Sequence, residues 1–412
     1  MSGLAVAIYA AIAASAALGV YLRLRHIAHV ARYRNAVPQA FAELVSLDEH
    51  RRAADYTIAR TRLSLFERVY DAGLSYLFIL CLLTPIYAAV AAFVSDGLTR
   101  SVLIIALFTA AARCFALPFE LIETFRLEAK FGFNRMSPSD FILDQLKTAA
   151  LEALIGAPAL YGLFWVQRAY PSSWWIVAWA GFLALMLTMT VLYPSVIAPL
   201  FNAFSPLPEG ELKRRLLALL EKCGFESRGL FVMDASKRSS RGNAYFTGFG
   251  RAKRIVFFDT LLDKHGPEEI ESILAHELGH FKFGHVRQML AMLAAISFIG
   301  FAALAFALAP DGLAAAFNLP GDPAIGLALA LIVKDPVLHI LSPVFAWRSR
   351  RAEFEADDFA KAMVGGAAII GALTRLTRDN LATLTPDPVF AGFYYSHPPV
   401  PVRIAHLQRN EI

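Results

Sequence analysis

Long apolar runs separated by charged segments dominate the chain. The first run, residues 4–22, carries no charge and is long enough to cross a bilayer as an α-helix. Further runs follow, divided by charged segments or by short links rich in turn-forming residues. The pattern predicts seven membrane-spanning helices, at residues 4–22, 73–94, 102–118, 149–166, 174–201, 286–308 and 326–347.

The first run could instead belong to a signal peptide. In a signal peptide, positive charge precedes the apolar region and small residues mark a cleavage site. Here Arg23 and Arg25 follow the run, and it contains no clear small-residue cleavage site. We therefore expect the run to be retained as the first span.

The basic residues indicate which side of the membrane each loop faces. Loops rich in Lys and Arg stay on the cytoplasmic side. The seven predicted spans place four basic segments on one side, at residues 23–68, 119–147, 202–285 and 348–412. The opposite loops hold few basic residues, Arg100 and Arg168 among them. We therefore predict an N-terminus outside the cytoplasm and a cytoplasmic C-terminus.

Bulk composition supports the membrane interpretation. The 412 residues are 57% hydrophobic, which exceeds what a soluble protein usually carries. The three cysteines are an odd number without a CxxC pair, so no disulfide framework is implied. A net charge of +5 is compatible with nucleic-acid binding, but the basic residues cluster beside apolar runs. Topology explains them better, and we expect no nucleic-acid partner.

Residues 202–285 differ in character from the rest of the chain. They are charged, with a predicted amphipathic helix at 211–223 and a β-like stretch at 231–233. Two more extended pieces, 243–246 and 254–259, are joined through Gly248 and Gly250. The pattern predicts a small α+β domain attached to an otherwise all-α membrane protein. The predicted division of the chain is 1–201, 202–285, 286–347 and 348–412.

The α+β segment ends in an HExxH motif. His276 and His280 are four residues apart, so a helix presents both imidazoles on one face, where they can share a metal ion. Glu277 lies beside them and can take a proton from a water whose pKa the cation lowers from ~16 to ~7. Gly266 and Pro267 predict the helix start independently of the motif. The alternative is a polar helix face with two solvated histidines.

A third ligand is predicted on the helix that follows the seventh span. Glu353 and Asp357 are separated by one helical turn and share a face, as a carboxylate ligand and a carboxylate that orients a ligating histidine would. Glu355 competes for the ligand role but lies ~200° around the helix from Glu353. His285 is excluded because it lies ~180° from His276 on a continuous helix. A solvated acidic face is the other interpretation of this helix.

These motifs together resemble the type I CAAX prenyl endopeptidase family of integral-membrane zinc metalloproteases. Besides the HELGH and the Glu353–Asp357 helix, the resemblance depends on residues 130–134 (KFGFN), 239–245 (SSRGNAY), 253–262, and 396–399 (SHPP) with Arg403. It covers most of the chain. It implies seven helices around a water-filled chamber within the membrane, closed at the cytoplasmic end by the zinc domain.

The resemblance also implies a role for each site residue. One zinc ion is held by His276, His280 and Glu353, with Glu277 as the general base. Asp357 lies next to the ligands and does not bind the ion itself. Other residues contact the substrate: Asn243 and Ala244 on an edge strand that pairs with its backbone, and His397 and Arg403 at its carbonyl oxygen.

The resulting hypothesis is a multi-pass membrane zinc endopeptidase whose partners are the lipid bilayer and a peptide or protein C-terminus, possibly prenylated. The family removes the last three residues after a prenylated cysteine. The alanine-rich composition suggests a bacterial source, hence an inner membrane with the N-terminus in the periplasm, where turnover of damaged membrane proteins or peptides would be the expected task. A transporter or channel with an incidental metal site, and a catalytically inactive metal-binding scaffold, are the alternatives.

Overall fold

The computed structural model describes residues 2–226, 229–247 and 254–409. The glycine link at 248 and 250 and the Lys253 end of the family motif therefore lie outside the described residues. Within them, seven helices are long and apolar enough to cross a membrane: Gly3–Tyr33, Leu47–Ala91, Gly97–Phe131, Pro138–Ala169, Trp174–Phe201, His285–Ala307 and Pro323–Val364. The predicted number and order of spans are confirmed.

In chain order the helices are α1 (Gly3–Tyr33), α2 (Leu47–Leu77), α3 (Leu83–Ala91), α4 (Gly97–Ile122), α5 (Ala129–Phe131), α6 (Pro138–Ala169), α7 (Trp174–Leu192), α8 (Ala198–Phe201), α9 (Glu211–Lys222), α10 (Asp259–Lys264), α11 (Pro267–Lys282), α12 (His285–Ala307), α13 (Leu313–Ala316), α14 (Pro323–Val364), α15 (Gly366–Asp379), α16 (Pro388–Tyr394) and α17 (Val400–Arg409). Short π-helical turns at Phe78–Leu82, Glu123–Glu128 and Tyr193–Ile197 join α2 to α3, α4 to α5 and α7 to α8.

Several helices run well past the predicted span ends. α2 begins at Leu47, within the basic segment 23–68, and continues without a break into the span predicted at 73–94. Likewise α14 continues for 42 residues through Pro336 and Pro343, so the predicted seventh span and the helix predicted to emerge from it form one continuous helix. Because a helix rises ~1.5 Å per residue, α14 carries Glu353 only ~9 Å beyond residue 347 on a rigid support.

The membrane helices share one buried cluster, which contains Ile12 of α1, Ile104 of α4 and Ile325 of α14, but several of them are buried over little of their length. Half of the residues in the most apolar 18-residue stretch of α14 are buried, whereas none of the residues in the corresponding stretch of α12 are. Lys334 and Asp335 lie in a span, yet their side chains are 54% and 67% exposed. Charged side chains within a span normally face a protein cavity or water. The seven helices accordingly surround an internal chamber, as the predicted fold class requires.

The soluble part contains a four-stranded sheet in the order β1-β2-β4-β3. The strands are β1 (Phe204–Pro206), β2 (Leu230–Met233), β3 (Ala244–Thr247) and β4 (Arg254–Phe258). β2 and β4 are parallel, and the other two pairs are antiparallel. The sequence pattern predicted β2, β3 and β4 but not β1. On its side away from β4, β3 pairs with no other described strand.

The core of this part draws on distant stretches of the chain. Phe257 of β4 and Leu216 of α9 pack in one buried cluster with Leu274 of α11. The same cluster contains Leu373 of α15 and Leu407 of α17. The C-terminal helices thus complete the hydrophobic core beneath the HExxH helix, which fixes their position relative to it. The exact domain boundaries proposed from the sequence stay a prediction.

Candidate metal centre

The HExxH helix begins as predicted. Gly266 is the N-cap of α11 and Pro267 its first residue, and the Gly266 N–H donates to the Glu269 carboxylate at 3.0 Å. Its buried face repeats every four residues, at Ile270, Leu274 and Leu278. Because that face is anchored in the core, the imidazoles of the motif project from a neighbouring face toward α14.

The structure brings His276, His280 and Glu353 together. One potential ligand atom from each lies within 4.8 Å of the others. The Nε2 atoms of His276 and His280 are each 3.4 Å from a carboxylate oxygen of Glu353. Ligand atoms ~2.0–2.1 Å from a tetrahedral zinc ion are themselves ~3.3 Å apart. The spacing therefore fits zinc.

The environment of Glu353 also indicates a cation site. The residue is 3% exposed, and its Oε2 atom has no hydrogen-bond partner among the described residues. Arg403 Nη1 lies 3.6 Å away, beyond hydrogen-bond distance, so this buried oxygen keeps a lone pair that a metal cation would compensate. The donor set of two imidazoles and one carboxylate is that of catalytic zinc sites that keep an open coordination position.

A glycine inside the motif sets the distance between the two ligand-bearing helices. A Cβ atom on Gly279 would lie 2.8 Å from the Cα of Ala356 on α14, which is closer than Cβ atoms approach backbone. The helices can therefore approach this closely only with glycine here. The glycine lies next to His280, so helix separation and ligand geometry are coupled.

Replacing Gly279 with Ala should destabilise the protein by about 1–3 kcal/mol, as overpacking typically does. It should also weaken zinc binding, because α11 must move away from α14. Melting temperature with and without zinc measures both effects. Gly300→Ala is the matched control, since no atom lies within 4 Å of a Cβ atom at this position of α12. Equal melting temperatures for the two variants would contradict the close-contact argument.

Asp357 and Arg403 form a buried pair behind His276. Asp357 is 0% exposed, and its Oδ1 atom is 2.9 Å from His276 Nδ1. Arg403 Nε donates to Asp357 Oδ2 at 2.8 Å. Burial disfavours a charged His276, but its contact with Asp357 and the neighbouring carboxylate of Glu353 outweigh burial and raise its pKa to about 9. The site thus attracts positive charge at the imidazoles, as a metal site must.

Glu277 faces a small cavity next to the ligands. The cavity has a volume of about 170 Å³, and the residues that line it include Asn243, Ala244, His276, His397 and Arg403. Burial raises the pKa of Glu277. A carboxylate with a raised pKa is a stronger base, which suits proton transfer near neutral pH.

His397 and Arg403 reach the site from the C-terminal segment. His397 Nε2 lies 3.3 Å from Glu353 Oε1, although the side chain is 65% exposed. Arg403 Nη1 lies 3.6 Å from Glu353 Oε2. Six of the predicted site residues, His397 and Arg403 among them, therefore line this cavity, whereas His280 and Glu353 line a second cavity. The chemical role of each residue stays a prediction.

Sequence reasoning missed two residues near the metal centre. It treated residues 276–285 as one helix, but α11 ends at Lys282 and Gly284 takes a left-handed conformation with φ of 68°. His285 therefore turns back, and its Nδ1 atom lies 2.9 Å from His280 Nδ1. Glu355 lies 3.0 Å from the other nitrogen of His285. The Gly before His285 was the available signal of a helix end.

Comparison with known proteins gives two family matches. Residues 26–203 match the CAAX prenyl protease N-terminal region, described as five membrane helices. Residues 206–411 match Peptidase family M48. Together the matches cover the second to fifth spans and the whole candidate metal centre.

Individual relatives agree with the family matches. A CAAX prenyl protease 1 homolog of Oryza sativa subsp. japonica is 38% identical over 294 residues, covering 71% of this chain and 69% of the relative. CAAX prenyl protease 1 of Saccharomyces cerevisiae is 30% identical over 401 residues, covering 90% and 88%. The crystal structure of S. mikatae Ste24p matches with a TM-score of 0.90 and 28% identity, covering 97% of both chains. The chain therefore belongs to Peptidase family M48 and is an integral-membrane metalloendopeptidase.

Proposed function

We propose that this protein is a zinc endopeptidase that trims the C-termini of prenylated CAAX-type proteins within the membrane. The observation that carries the proposal is the convergence of His276, His280 and Glu353 beside Glu277 and beside β3, the edge strand of the described sheet. Relatives named CAAX prenyl protease 1 that share 30–38% of their residues with this chain support the substrate class. The comparisons give no support to a transporter.

One zinc ion per chain would be held by His276, His280 and Glu353. When bound, it would supply a Lewis acid that polarises the scissile carbonyl and acidifies water. Asp357 would keep His276 in the tautomer whose Nε2 lone pair faces the ligand site, because its carboxylate accepts the proton on Nδ1.

Glu277 would serve as the proton carrier. Its carboxylate would accept a proton from the attacking water and return it to the amine of the departing peptide. Glu277 lines the 170 Å³ cavity together with His276, so the proposed proton acceptor lies beside a proposed ligand of the ion. Both transfers use the same side chain, which requires no additional acid.

The edge strand β3 would hold the substrate backbone. Phe258 N–H donates to the Asn243 carbonyl, so this pair is hydrogen-bonded across the β3–β4 ladder. Hydrogen-bonded pairs alternate in antiparallel sheets, which turns the N–H and C=O of Ala244 away from β4. Ala244 also lines the cavity with Glu277. An extended peptide could therefore add to the sheet here by β-augmentation.

His397 and Arg403 would stabilise negative charge on the carbonyl oxygen. Both approach the Glu353 carboxylate within 3.6 Å and line the cavity on the side of the C-terminal segment. Donors of this kind act where charge develops in the transition state. The exposed position of His397 lets it reach a substrate without displacing the core.

The proposed orientation places this chemistry on the cytoplasmic side. The basic segments at 202–285 and 348–412, which carry the metal centre, would face the cytoplasm by the positive-inside rule. The N-terminus would lie on the opposite side, in the periplasm if the membrane is a bacterial inner membrane. In that setting, membrane peptides destined for turnover would be the substrates to compare with prenylated C-termini.

The test is cleavage of defined peptides by the full chain in liposomes. A farnesylated peptide ending in CAAX, its unprenylated counterpart and an unrelated transmembrane peptide are compared, with products identified by mass spectrometry. We expect loss of three residues after the farnesylated cysteine, abolition by a zinc chelator and recovery on adding zinc. Cleavage of the transmembrane peptide alone would favour turnover. A zinc-loaded protein that cleaves none of the three would overturn the proposal.

A further inference from the structure

The two ligating histidines are supported in different ways. Both direct Nε2 toward Glu353, which leaves each Nδ1 atom for a second contact. For His276 that contact is Asp357, a fully buried carboxylate of α14, at 2.9 Å. For His280 it is the imidazole of His285, also at 2.9 Å. His285 in turn contacts Glu355 through its Nε2 atom at 3.0 Å.

Only one arrangement of protons satisfies the contacts from His280 through His285 to Glu355 when His280 is a ligand. Metal binding through Nε2 requires the proton of His280 on Nδ1, which then donates to His285 Nδ1. His285 must accept at Nδ1 and therefore carries its own proton on Nε2. That proton donates to the Glu355 carboxylate, which when ionised only accepts hydrogen bonds. The contacts therefore form a continuous relay from His280 through His285 to Glu355.

Helix geometry explains why a relay is needed on this side. Asp357 follows Glu353 by four residues and shares its face, so it reaches His276 directly. Glu355 follows Glu353 by two residues and lies ~200° around α14, which is too far around for a direct contact with the ligands. The left-handed Gly284 brings His285 into the gap between them. A Cβ atom at Gly284 would lie 2.9 Å from the Arg287 side chain, in addition to the strain of its positive φ.

The surroundings of the relay also differ from those of Asp357. Glu355 is 53% exposed, and both Glu355 and His285 line a cavity of about 690 Å³. Phe345 and Met289 contribute to the apolar walls of this cavity. The support for His276 is thus sealed in the core, whereas the support for His280 ends at an open cavity beside the metal site.

We propose that His285 and Glu355 are positioning residues that hold His280 in its metal-binding tautomer and orientation. This inference rests on the proposed ligand set. Carboxylate–histidine contacts behind a metal ligand fix its ring and increase its basicity, and their removal typically lowers metal affinity by about 10–100-fold. His285 extends the same support by one residue, because no carboxylate of the described residues contacts His280 Nδ1 itself.

The test measures the zinc dissociation constant of the purified full chain by competition with a chromophoric chelator. We expect His285→Leu to weaken zinc binding by about 10–100-fold. His285→Gln should recover most of the affinity, because its amide oxygen can accept the proton of His280 Nδ1. Glu355→Gln, at an exposed position that leaves folding intact, should weaken binding by a smaller factor. The visible spectrum of the cobalt-substituted protein should change in His285→Leu, which a loss of packing elsewhere would not produce.

The matched control is His406→Leu. His406 forms a comparable contact with Asp358 of α14, at 2.8 Å, and has no contact with a proposed zinc ligand. It should bind zinc as the wild type does. Tight zinc binding in the wild type with unchanged affinity and cobalt spectrum in His285→Leu and Glu355→Gln would overturn this inference alone. Absence of zinc from the wild type would overturn the proposed function together with it.

Discussion

Replacing Glu277 with Gln should remove peptide hydrolysis while leaving the metal in place. The substitution keeps the size of the side chain but removes its ability to accept a proton from the attacking water. General acid–base groups contribute about 10²–10⁴-fold to rate, so kcat should fall by about that factor. Zinc content should stay near one per chain, because Glu277 does not belong to the group formed by His276, His280 and Glu353. Single-turnover cleavage of a labelled peptide, together with metal analysis, measures both quantities.

Glu271→Gln provides the control for this experiment. Glu271 lies on the same helix but pairs with Arg215 at 2.7 Å, outside the cavity that contains Glu277. Its variant should keep kcat within about twofold of the wild type, since partly exposed ion pairs contribute only about 0–1 kcal/mol. If Glu277→Gln retained its activity, another group would have to be the base. Loss of zinc in Glu277→Gln would instead assign Glu277 to the ligands.

The parts of this fold that were predictable from sequence have strong local signals. Seven apolar runs are visible because a span must be apolar along its whole length, and α11 is visible from its Gly266–Pro267 start. The spacing of Glu353 and Asp357 was informative for the same reason, since residues four apart on a helix share a face. In each case the physical requirement acts within a few residues of sequence.

The features that were not predicted depend on contacts between distant segments. β1 has only three residues, and its pairing with β2 gives it strand structure that its own sequence does not indicate. His285 was assigned to the wrong helix because one residue, Gly284, in a left-handed conformation redirects the chain. Local pattern rules carry no information about such turns unless the glycine is recognised as a helix end.

Replacing Glu353 with Gln should abolish zinc binding at physiological concentrations. The carboxylate is buried, and both proposed imidazole ligands lie 3.4 Å from its oxygens. An amide of the same shape fills the space but carries no negative charge to compensate a dication. The loss should exceed the ~10–100-fold that removal of an outer partner causes, because a ligand itself is lost.

Thermal unfolding provides a readout of this loss that does not depend on activity. Zinc at 100 times its dissociation constant should stabilise the wild type by about 2.7 kcal/mol, because only the folded protein holds the site. The melting temperature of Glu353→Gln should not respond to zinc at the same concentration. Asp358→Asn, five residues along α14 and in contact with His406, should retain the full zinc response. A Glu353→Gln protein that kept the zinc-dependent shift would show that the ion is held without the Glu353 carboxylate. Glu353 would then not be the third ligand that the proposed mechanism requires.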